Sequence, residues 1–275
     1  MYKFALAALM AIGAHAAGGT DYTQNGANWG ETVPLCASGV EQSPIDLSEE
    51  GASRSSSMEL NGYGYRDFTL PAEGAELERS VDKVYSPVAD GEFHLNFADG
   101  TKSIFKVLQF HFHAPSEHAV DGKLFDLEVH FVHLYAETNG LGGVIGVFFD
   151  RTAGNYDNDF LTKFWEDGEN VDVNVASFLS NVDFSEYWNY PGSLTTPPCT
   201  EGVKWTVIKD VQPISDEQLK LFTSLWADND EFAKGKGNNR ELMPLNDRTL
   251  YFNGALSGVS VAAASFTALA AYLAF

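Results

Sequence analysis

The histidines are the residues of this chain whose type and spacing best suit chemistry. Five of the seven histidines lie between positions 111 and 133. His111 and His113 belong to the run Gln-Phe-His-Phe-His, and His130 belongs to the run Glu-Val-His-Phe-Val-His. Three neutral imidazoles that leave a fourth position open are typical of a catalytic zinc site. We therefore consider His111, His113 and His130 as candidate zinc ligands.

Both runs have the pattern of β-strands, in which residues two positions apart share a face. One face of the first strand carries Gln109, His111 and His113, and one face of the second carries Glu128, His130 and Val132. Two adjacent strands can therefore direct the three candidate ligands to one point. His118 and His133 fall off that face, so we expect them to be buried, hydrogen-bonded core residues.

Two polar residues accompany the candidate ligands on the same face. Gln109 precedes His111 by two positions, and Glu128 precedes His130 by two positions. Hydrogen-bond acceptors placed in this way fix the orientation and the tautomer of metal-binding imidazoles. Their presence favours a metal site over a set of core histidines.

A second metal motif shares part of this pattern. The pair His111 and His113, followed by Glu117, also resembles the motif of cupins, which are jelly-roll metalloproteins. That motif expects glycines where this chain has Phe105 and Leu124. We reject the cupin interpretation because of these two departures.

The elements that must position these residues are mostly strands. The predicted strands cover 93–97, 103–113, 124–135, 144–149, 205–208 and 249–252, with Asp-Gly turns at 99–100 and 121–122. The clearest predicted helix is 216–227, where Ser215 and Gln218 form a capping box, and a weaker one covers 157–167. Few helices and many strands predict an antiparallel sheet with short helices at its periphery.

The composition limits the class of protein. Apolar residues make up 44% of the 275 residues, which argues against a disordered or collagen-like chain. The 38 acidic and 17 basic residues give a net charge of −21. Such a polyanion is a poor binder of nucleic acid, so no nucleic-acid partner is expected. Two cysteines are too few for a disulfide-stapled mini-protein but allow one bridge.

Both ends of the chain carry apolar segments. Residues 1–16 resemble a signal peptide, with Lys3 before an apolar run and a cleavage site after Ala16. Residues 254–275 form an uncharged C-terminal tail. We interpret this tail as a lipid-anchor signal that is removed. A membrane span is the second interpretation and a tail packed on the domain is the third. Residues 17–253 remain as one domain.

The motifs together resemble those of alpha-class carbonic anhydrases. They are QFHFH at 109–113, SEH at 116–118, EVHFVH at 128–133, YPGSLTTPPC at 190–199, QSPIDL at 42–47 and NNRELMPLNDR at 238–248. The resemblance covers about 22–252. It implies an α+β fold, a single catalytic domain around a large, twisted, mainly antiparallel β-sheet with short peripheral helices. It also implies zinc-dependent, reversible hydration of carbon dioxide to bicarbonate and a proton, by attack of zinc-bound hydroxide.

The resemblance also assigns roles to single residues. It implies that His111, His113 and His130 bind Zn²⁺, and that Gln109, Glu128 and Asn238 hold their rings. Thr195 would accept a hydrogen bond from the hydroxide and donate one to Glu117. Thr196 would hold bicarbonate, and Tyr22 matches a tyrosine of the polar wall. The apolar pocket for carbon dioxide would consist of Val132, Val144, Leu194 and Trp205.

The cysteines bear on localisation. Extracellular members of the family pair cysteines at the positions of Cys36 and Cys199, which implies a disulfide here. A signal peptide places the chain in an oxidising compartment, where such a bond persists. We therefore expect an extracellular or cell-surface protein of the secretory pathway, with membrane attachment through a lipid at its C-terminal tail.

One departure from the family concerns proton transfer. Fast members carry a proton-relaying histidine at the position that ungapped counting assigns to Val81, and the nearest histidine in the sequence is His94. Two other functions stay open. The same zinc chemistry could hydrolyse esters, and a non-catalytic relative could serve as a surface recognition module. Such relatives typically lack one or more zinc histidines, and all three are present here.

Overall fold

The computed structural model describes residues 21–54, 58–71, 78–80, 83–87, 90–166, 170–230 and 234–254. The expected signal peptide, the C-terminal tail beyond Gly254 and Val81 lie outside the described residues. Within the described ranges, no helix has both the length and the apolar character that crossing a membrane requires.

The described chain is built mainly from β-strands. In chain order they are β1 (Asp46–Leu47), β2 (Glu59–Tyr63), β3 (Phe68–Pro71), β4 (Glu78–Ser80), β5 (Lys83–Pro87), β6 (Glu92–Asn96), β7 (Lys102–His113), β8 (Ala119–Val120), β9 (Lys123–Leu124), β10 (Leu127–Tyr135), β11 (Leu141–Phe149), β12 (Asn170–Val173), β13 (Tyr187–Ser193), β14 (Glu201–Gln212) and β15 (Tyr251–Asn253). The helices are short: a 3₁₀ turn at Trp29–Glu31, then α1 (Leu35–Ser38), α2 (Asp159–Trp165), α3 (Val175–Leu179) and α4 (Asp216–Thr223).

One large sheet dominates the fold. Its main path runs β15-β13-β14-β11-β10-β7-β5-β4, and β6 joins β2 to β7. The sheet is mixed, because β11 and β14 pair in parallel while the other neighbours in it are antiparallel. A parallel pair needs a long crossover, and the connection from β11 to β14 contains α2, β12, α3 and β13. The predicted α+β fold around a mainly antiparallel sheet is confirmed, with this parallel pair as an addition.

The helix predictions were right in place and too long in extent. Helix α4 ends at Thr223 rather than at residue 227, and α2 occupies the middle of the predicted 157–167 segment. Ser215 Oγ accepts the expected hydrogen bond from Gln218 N at 3.1 Å. The Gln218 side chain does not complete the capping box, because it bonds the backbone of Asn158 at the start of α2 instead.

One face of the central strands forms the hydrophobic core. Phe110 and Phe112 of β7 are buried there, with ring centroids 5.2 Å from Phe160 and 5.0 Å from Phe164 of α2. Burying a phenylalanine side chain contributes about 1.5–3 kcal/mol. Because side chains alternate along a strand, anchoring this face also fixes the direction of the residues between the phenylalanines.

A β-bulge in the pairing of β7 with β10 separates two stretches of the sheet. The register shifts between Val132 and His133 of β10. His133 then lies in the core, where its ring is 4.6 Å from that of Phe93 and its Nε2 is 2.6 Å from the Tyr65 hydroxyl. Burial lowers the pKa of His133 to about 3, so the ring is neutral at ordinary pH. As predicted, His133 is a hydrogen-bonded core residue.

A disulfide joins Cys36 of α1 to Cys199, which directly follows the Thr-Thr-Pro-Pro run. The sequence separation of the two cysteines is 163, and both are buried. The bond therefore connects the N-terminal part of the described chain to the loop between β13 and β14.

We predict that this disulfide is a major contributor to stability. Replacing both cysteines with serine should lower the free energy of unfolding by roughly 3–5 kcal/mol, because the bond restricts a long loop of the unfolded chain. Urea unfolding of the oxidised protein and the double variant measures the difference. A difference below about 1 kcal/mol would show that the loop restriction matters little here.

Candidate metal centre and active site

The register of the central strands brings the candidate ligands together. His111 of β7 lies opposite His130 of β10, and His113 lies opposite Glu128. One ring nitrogen from each of His111, His113 and His130 can be chosen so that all three atoms lie within 4.8 Å of one another. Two antiparallel strands thus supply a convergent group of imidazoles, in the arrangement expected from their alternation.

In each of the three imidazoles, one ring nitrogen lies close to an oxygen atom. The contacts are His111 Nδ1 to Gln109 Oε1 at 2.9 Å, His113 Nδ1 to the Asn238 carbonyl at 2.8 Å, and His130 Nε2 to Glu128 Oε1 at 2.9 Å. Each partner is an oxygen that can only accept, so these nitrogens carry the ring protons. The opposite nitrogens, His113 Nε2 and His130 Nδ1, can each offer a lone pair to a metal when they carry no proton.

Four buried polar atoms at this point have no hydrogen-bond partner of good geometry among the residues that the structure describes. They are His113 Nε2, His130 Nδ1, His130 Nε2 and Glu117 Oε2, and of these His130 Nε2 lies 2.9 Å from Glu128 Oε1. The carboxylate oxygen is 3.4 Å from the first nitrogen and 3.8 Å from the second. Unpaired buried polar atoms are costly and call for a missing partner. Convergent imidazole lone pairs fit a zinc ion, which prefers tetrahedral sites with nitrogen ligands.

The electrostatics of His113 suit a metal ligand. Burial is the largest influence and lowers its pKa, and the neighbouring His130 acts in the same direction although Glu117 opposes both. The ring is therefore neutral at physiological pH, which is the form that binds a metal.

Glu128 connects several groups on the polar face of β10. Its Oε2 accepts backbone hydrogen bonds from Glu117 and His118, each at 2.9 Å, and its Oε1 lies 2.8 Å from His118 Nδ1. Burial alone would raise the pKa of Glu128, but His118 and His130 outweigh it and hold that pKa well below the usual range. Gly146 leaves room for this carboxylate, since a Cβ there would lie 2.8 Å from Glu128 Oε1.

The second ring nitrogen of His118 is hydrogen-bonded as well. Its Nε2 is 2.6 Å from the Tyr190 hydroxyl, which is 2.9 Å from Ser43 Oγ. His118, Glu128 and His130 also form a group whose atoms could in geometry hold a metal. Hydrogen bonds already use both ring nitrogens of His118 and both carboxylate oxygens of Glu128, so His118 fits the expected core role. Tyr190 and Ser43 lie in the motifs at 190–199 and 42–47 but have no role in the sequence-based prediction. Their polar character among apolar neighbours was the available signal.

Glu117 and Thr195 lie on different segments of the site. Glu117 Oε1 accepts a hydrogen bond from the backbone nitrogen of Arg240 at 2.9 Å. Thr195 is 4% exposed and belongs to the loop between β13 and β14, next to the half-buried Thr196. The expected hydrogen bond from Thr195 to Glu117 is not formed in this structure, which leaves Glu117 Oε2 turned toward the imidazoles.

The expected apolar wall forms a row beside the imidazoles. Val132 of β10 lies opposite Val144 of β11, and Val144 lies opposite Trp205 of β14. These three residues and Leu194 belong to one buried apolar cluster. The Trp205 ring is 4.8 Å from that of His130, so apolar surface adjoins the candidate metal centre.

Tyr22 and His94 are the remaining candidate residues for the polar side of the site. Tyr22 is buried against Trp29, with ring centroids 5.2 Å apart, and burial raises the pKa of its hydroxyl. His94 of β6 pairs with Ile104, seven residues before His111 along β7. At about 3.3 Å per residue this places His94 roughly 20 Å from the imidazole cluster. His94 is therefore too far away to serve as a direct proton relay.

The chain resembles known proteins over most of its length. A family model described as eukaryotic-type carbonic anhydrase matches residues 24–254. A carbonic anhydrase of Klebsiella pneumoniae is 31% identical over 233 residues, which cover 81% of this chain and 85% of the relative. Alpha carbonic anhydrase 4 of Arabidopsis thaliana is 34% identical over 235 residues, covering 82% and 80%.

A solved structure gives the same picture. The alpha-carbonic anhydrase of Thermovibrio ammonificans, in complex with the inhibitor sulfanilamide, superimposes with a TM-score of 0.61. It is 32% identical and covers 81% of this chain and 93% of its own.

We predict that removing one of the three imidazoles abolishes zinc binding. We expect the unmodified protein to retain zinc after dialysis and the variant His130→Ala to lose it, because two imidazoles leave an incomplete site. Metal analysis of folded protein, checked by circular dichroism, gives the readout. His94→Ala is the matched control and should retain zinc. A His130→Ala variant that keeps its full zinc content would contradict the site.

Proposed function

The chain belongs to the eukaryotic-type carbonic anhydrase family, and from this premise we propose that it hydrates carbon dioxide reversibly to bicarbonate and a proton at a zinc ion held by His111, His113 and His130. The observation that carries the proposal is the convergence of three imidazole nitrogens beside an apolar wall. Two of these nitrogens are buried and have no hydrogen-bond partner in the described structure.

Zinc bound at this site would act as a Lewis acid that lowers the pKa of a coordinated water molecule, so that a nucleophile is available near neutral pH. The protein's contribution is to hold the three rings in one geometry. Gln109, Glu128 and the Asn238 carbonyl do this by accepting the ring protons.

The apolar wall suits the substrate. Carbon dioxide carries no charge and needs no ion-pair partner, so a surface of hydrocarbon and indole can hold it next to the nucleophile. Val132, Val144 and Trp205 are each at most 3% exposed, and Leu194 is 9% exposed. The Trp205 indole donates a hydrogen bond to the Ser193 carbonyl at 2.9 Å, which fixes its ring.

Thr195 and Glu117 are assigned the orienting role. Glu117 Oε2 is available to accept a hydrogen bond from the Thr195 hydroxyl. A hydroxyl that donates its only proton to a carboxylate can act only as an acceptor toward the nucleophile. That restriction would turn a lone pair of the nucleophile toward carbon dioxide. Thr196, the next residue in the loop, would hold the bicarbonate product.

The disulfide supports a location outside the reducing cytosol. Bonds of this kind persist in oxidising compartments and are rare where thiols are kept reduced. The Cys36–Cys199 bond therefore favours a secreted or cell-surface enzyme, in agreement with the expected signal peptide.

A zinc titration combined with a carbon dioxide hydration assay tests the proposal. We expect hydration activity that rises with bound zinc and saturates at one ion per chain. Zinc binding with ester hydrolysis alone would favour the zinc esterase. Absence of both activities in zinc-loaded protein would favour the recognition module. Full hydration activity in metal-free protein would rule out a zinc mechanism.

We predict that Thr195→Ala separates catalysis from metal binding. The variant should retain zinc but lose roughly 100-fold or more in kcat, because an orienting hydrogen bond in an active site is commonly worth that much. Thr206, a fully buried threonine of β14, provides the control variant Thr206→Ala, which should keep its turnover. Loss of zinc from Thr195→Ala would assign Thr195 a structural role instead.

We also predict that proton transfer limits turnover in dilute buffer. Valine cannot accept or release a proton, whereas a histidine with a pKa near 6.5 can do both. The rate should rise as imidazole-type buffer is added, and Val81→His should weaken that dependence. His94→Ala should change neither rate, given its distance from the centre. A fast, buffer-independent rate in the unmodified protein would show that another group relays the proton.

A further inference from the structure

We infer that Gln42 and Arg240 are positioning residues, which set Thr195 in place relative to Glu117 through a continuous set of buried hydrogen bonds. The inference rests on the proposed function, because it concerns the orienting pair of that reaction. Thr195 and Glu117 lie on separate segments of the chain, and Glu117 Oε2 accepts no hydrogen bond from Thr195 in this structure. Something else must therefore define their relative positions.

Arg240 connects directly to the Glu117 side. Its backbone nitrogen donates to Glu117 Oε1 at 2.9 Å. Its guanidinium points the other way and donates to Gln42 Oε1 at 3.0 Å, to the Ser43 carbonyl at 2.7 Å and to the Cys36 carbonyl at 2.7 Å. One residue thus holds the carboxylate with its backbone and the N-terminal segment 36–43 with its side chain.

Gln42 continues the connection to the Thr195 side. Its amide nitrogen donates to the Cys199 carbonyl at 3.0 Å and to Glu201 Oε1 at 2.9 Å. The Cys199 backbone nitrogen in turn donates to the Thr196 carbonyl at 2.8 Å. Both carbonyl and amide of Cys199 are therefore engaged, and this closes the turn that carries Thr195 and Thr196.

Other contacts reinforce the same turn. Cys199 has a φ of 57°, in the left-handed region that non-glycine residues seldom occupy, and its side chain is bound covalently to Cys36. The Ser43 nitrogen donates to Ser193 Oγ at 2.9 Å, and the Leu194 nitrogen donates to the Thr200 carbonyl at 2.9 Å. Segment 36–43 therefore holds the loop between β13 and β14, and Arg240 in turn holds segment 36–43.

The burial of Arg240 argues for a role beyond packing. The residue is 1% exposed, and burial is the main cause that lowers its pKa. A buried guanidinium is costly to desolvate, and an apolar side chain could fill the same volume. What an apolar side chain could not supply is three donors aimed at three separate acceptors. The rigid fork therefore gives the two segments a defined relative position.

Small displacements matter at such a site. A misplacement of about 1 Å can lower a rate by about 100-fold when it alters the alignment of reacting groups. Loosening the contact between Gln42 and Cys199 should let the Thr195 turn move relative to Glu117 without touching any of the three imidazoles. Loss of turnover with retention of zinc is therefore the expected signature.

The test compares Gln42→Ala with Gln218→Ala. Gln218 is a matched control, since it is 4% exposed and its side chain also makes three hydrogen bonds, to Asn158 and Thr162. We expect Gln42→Ala to keep zinc, to lose roughly 10- to 100-fold in kcat and to change KM by less than about twofold. Gln218→Ala should lower the melting temperature and leave kcat unchanged. Equal kcat in both variants would overturn the inference.

A second measurement does not depend on activity. Amide hydrogen exchange should become faster at Leu194 and Cys199 in Gln42→Ala and should stay unchanged there in Gln218→Ala. Arg240→Lys gives the same readout if Gln42→Ala does not fold, because it keeps the backbone bond to Glu117 while losing the fork. Unchanged exchange at both amides in these variants would contradict the connection even if the unmodified protein proved inactive toward carbon dioxide.

A double-mutant cycle distinguishes positioning from general destabilisation. If Gln42 acts through Thr195, adding Gln42→Ala to Thr195→Ala should lower kcat by no more than about twofold further. A full additional loss, equal to that in the single variant, would show that Gln42 acts elsewhere. Inactivity of the zinc-loaded, unmodified protein would refute the proposed function, and the exchange measurement would still decide the structural connection.

Discussion

The buried carboxylate of Glu128 is the interaction on which the polar side of this sheet depends. A charged group without solvent must be matched by donors. Glu128 receives hydrogen bonds from two backbone amides and from His118, and His130 Nε2 lies 2.9 Å from its Oε1. These contacts fix His130 and bring the segment of Glu117 and His118 against β10. Glu128 therefore helps to position both the candidate metal centre and the orienting carboxylate of Glu117.

The same strands serve two purposes because their faces differ. Phenylalanines on one face of β7 and β10 pack against α2, and the imidazoles lie between them on the other face. A core of interlocking aromatic rings is stiff, so it limits movement of the backbone that carries the ligands. Stability and precision of the site are thus supplied by residues that never touch the substrate.

Local sequence patterns predict a large part of the fold and of the candidate metal centre. The alternation in Gln-Phe-His-Phe-His was enough to place Gln109, His111 and His113 on one face. The alternation in Glu-Val-His-Phe-Val-His was enough to place His133 on the face opposite His130. Contacts between distant segments had no such signal. Asn238 meets His113, and Arg240 meets Gln42 across 198 positions, through loops without periodicity. The resemblance to a family supplied Asn238 and the Thr195–Glu117 pair, whereas the parallel pairing of β11 with β14 and the early end of α4 depend on packing that no local pattern encodes.

The long-range contacts of Arg240 also bear on how the molecule assembles. Segment 36–43, the loop near Cys199 and the residues around 240 must all be present before the Thr195 turn is closed. A chain made from its N terminus cannot complete this arrangement until nearly all of the domain has been synthesised. Many non-local pairings also slow folding, because loops must close before their contacts form. The active arrangement is therefore a late product of folding. A partly made or C-terminally shortened domain would lack both the Asn238 carbonyl that holds His113 and the contacts that set the orienting pair in register.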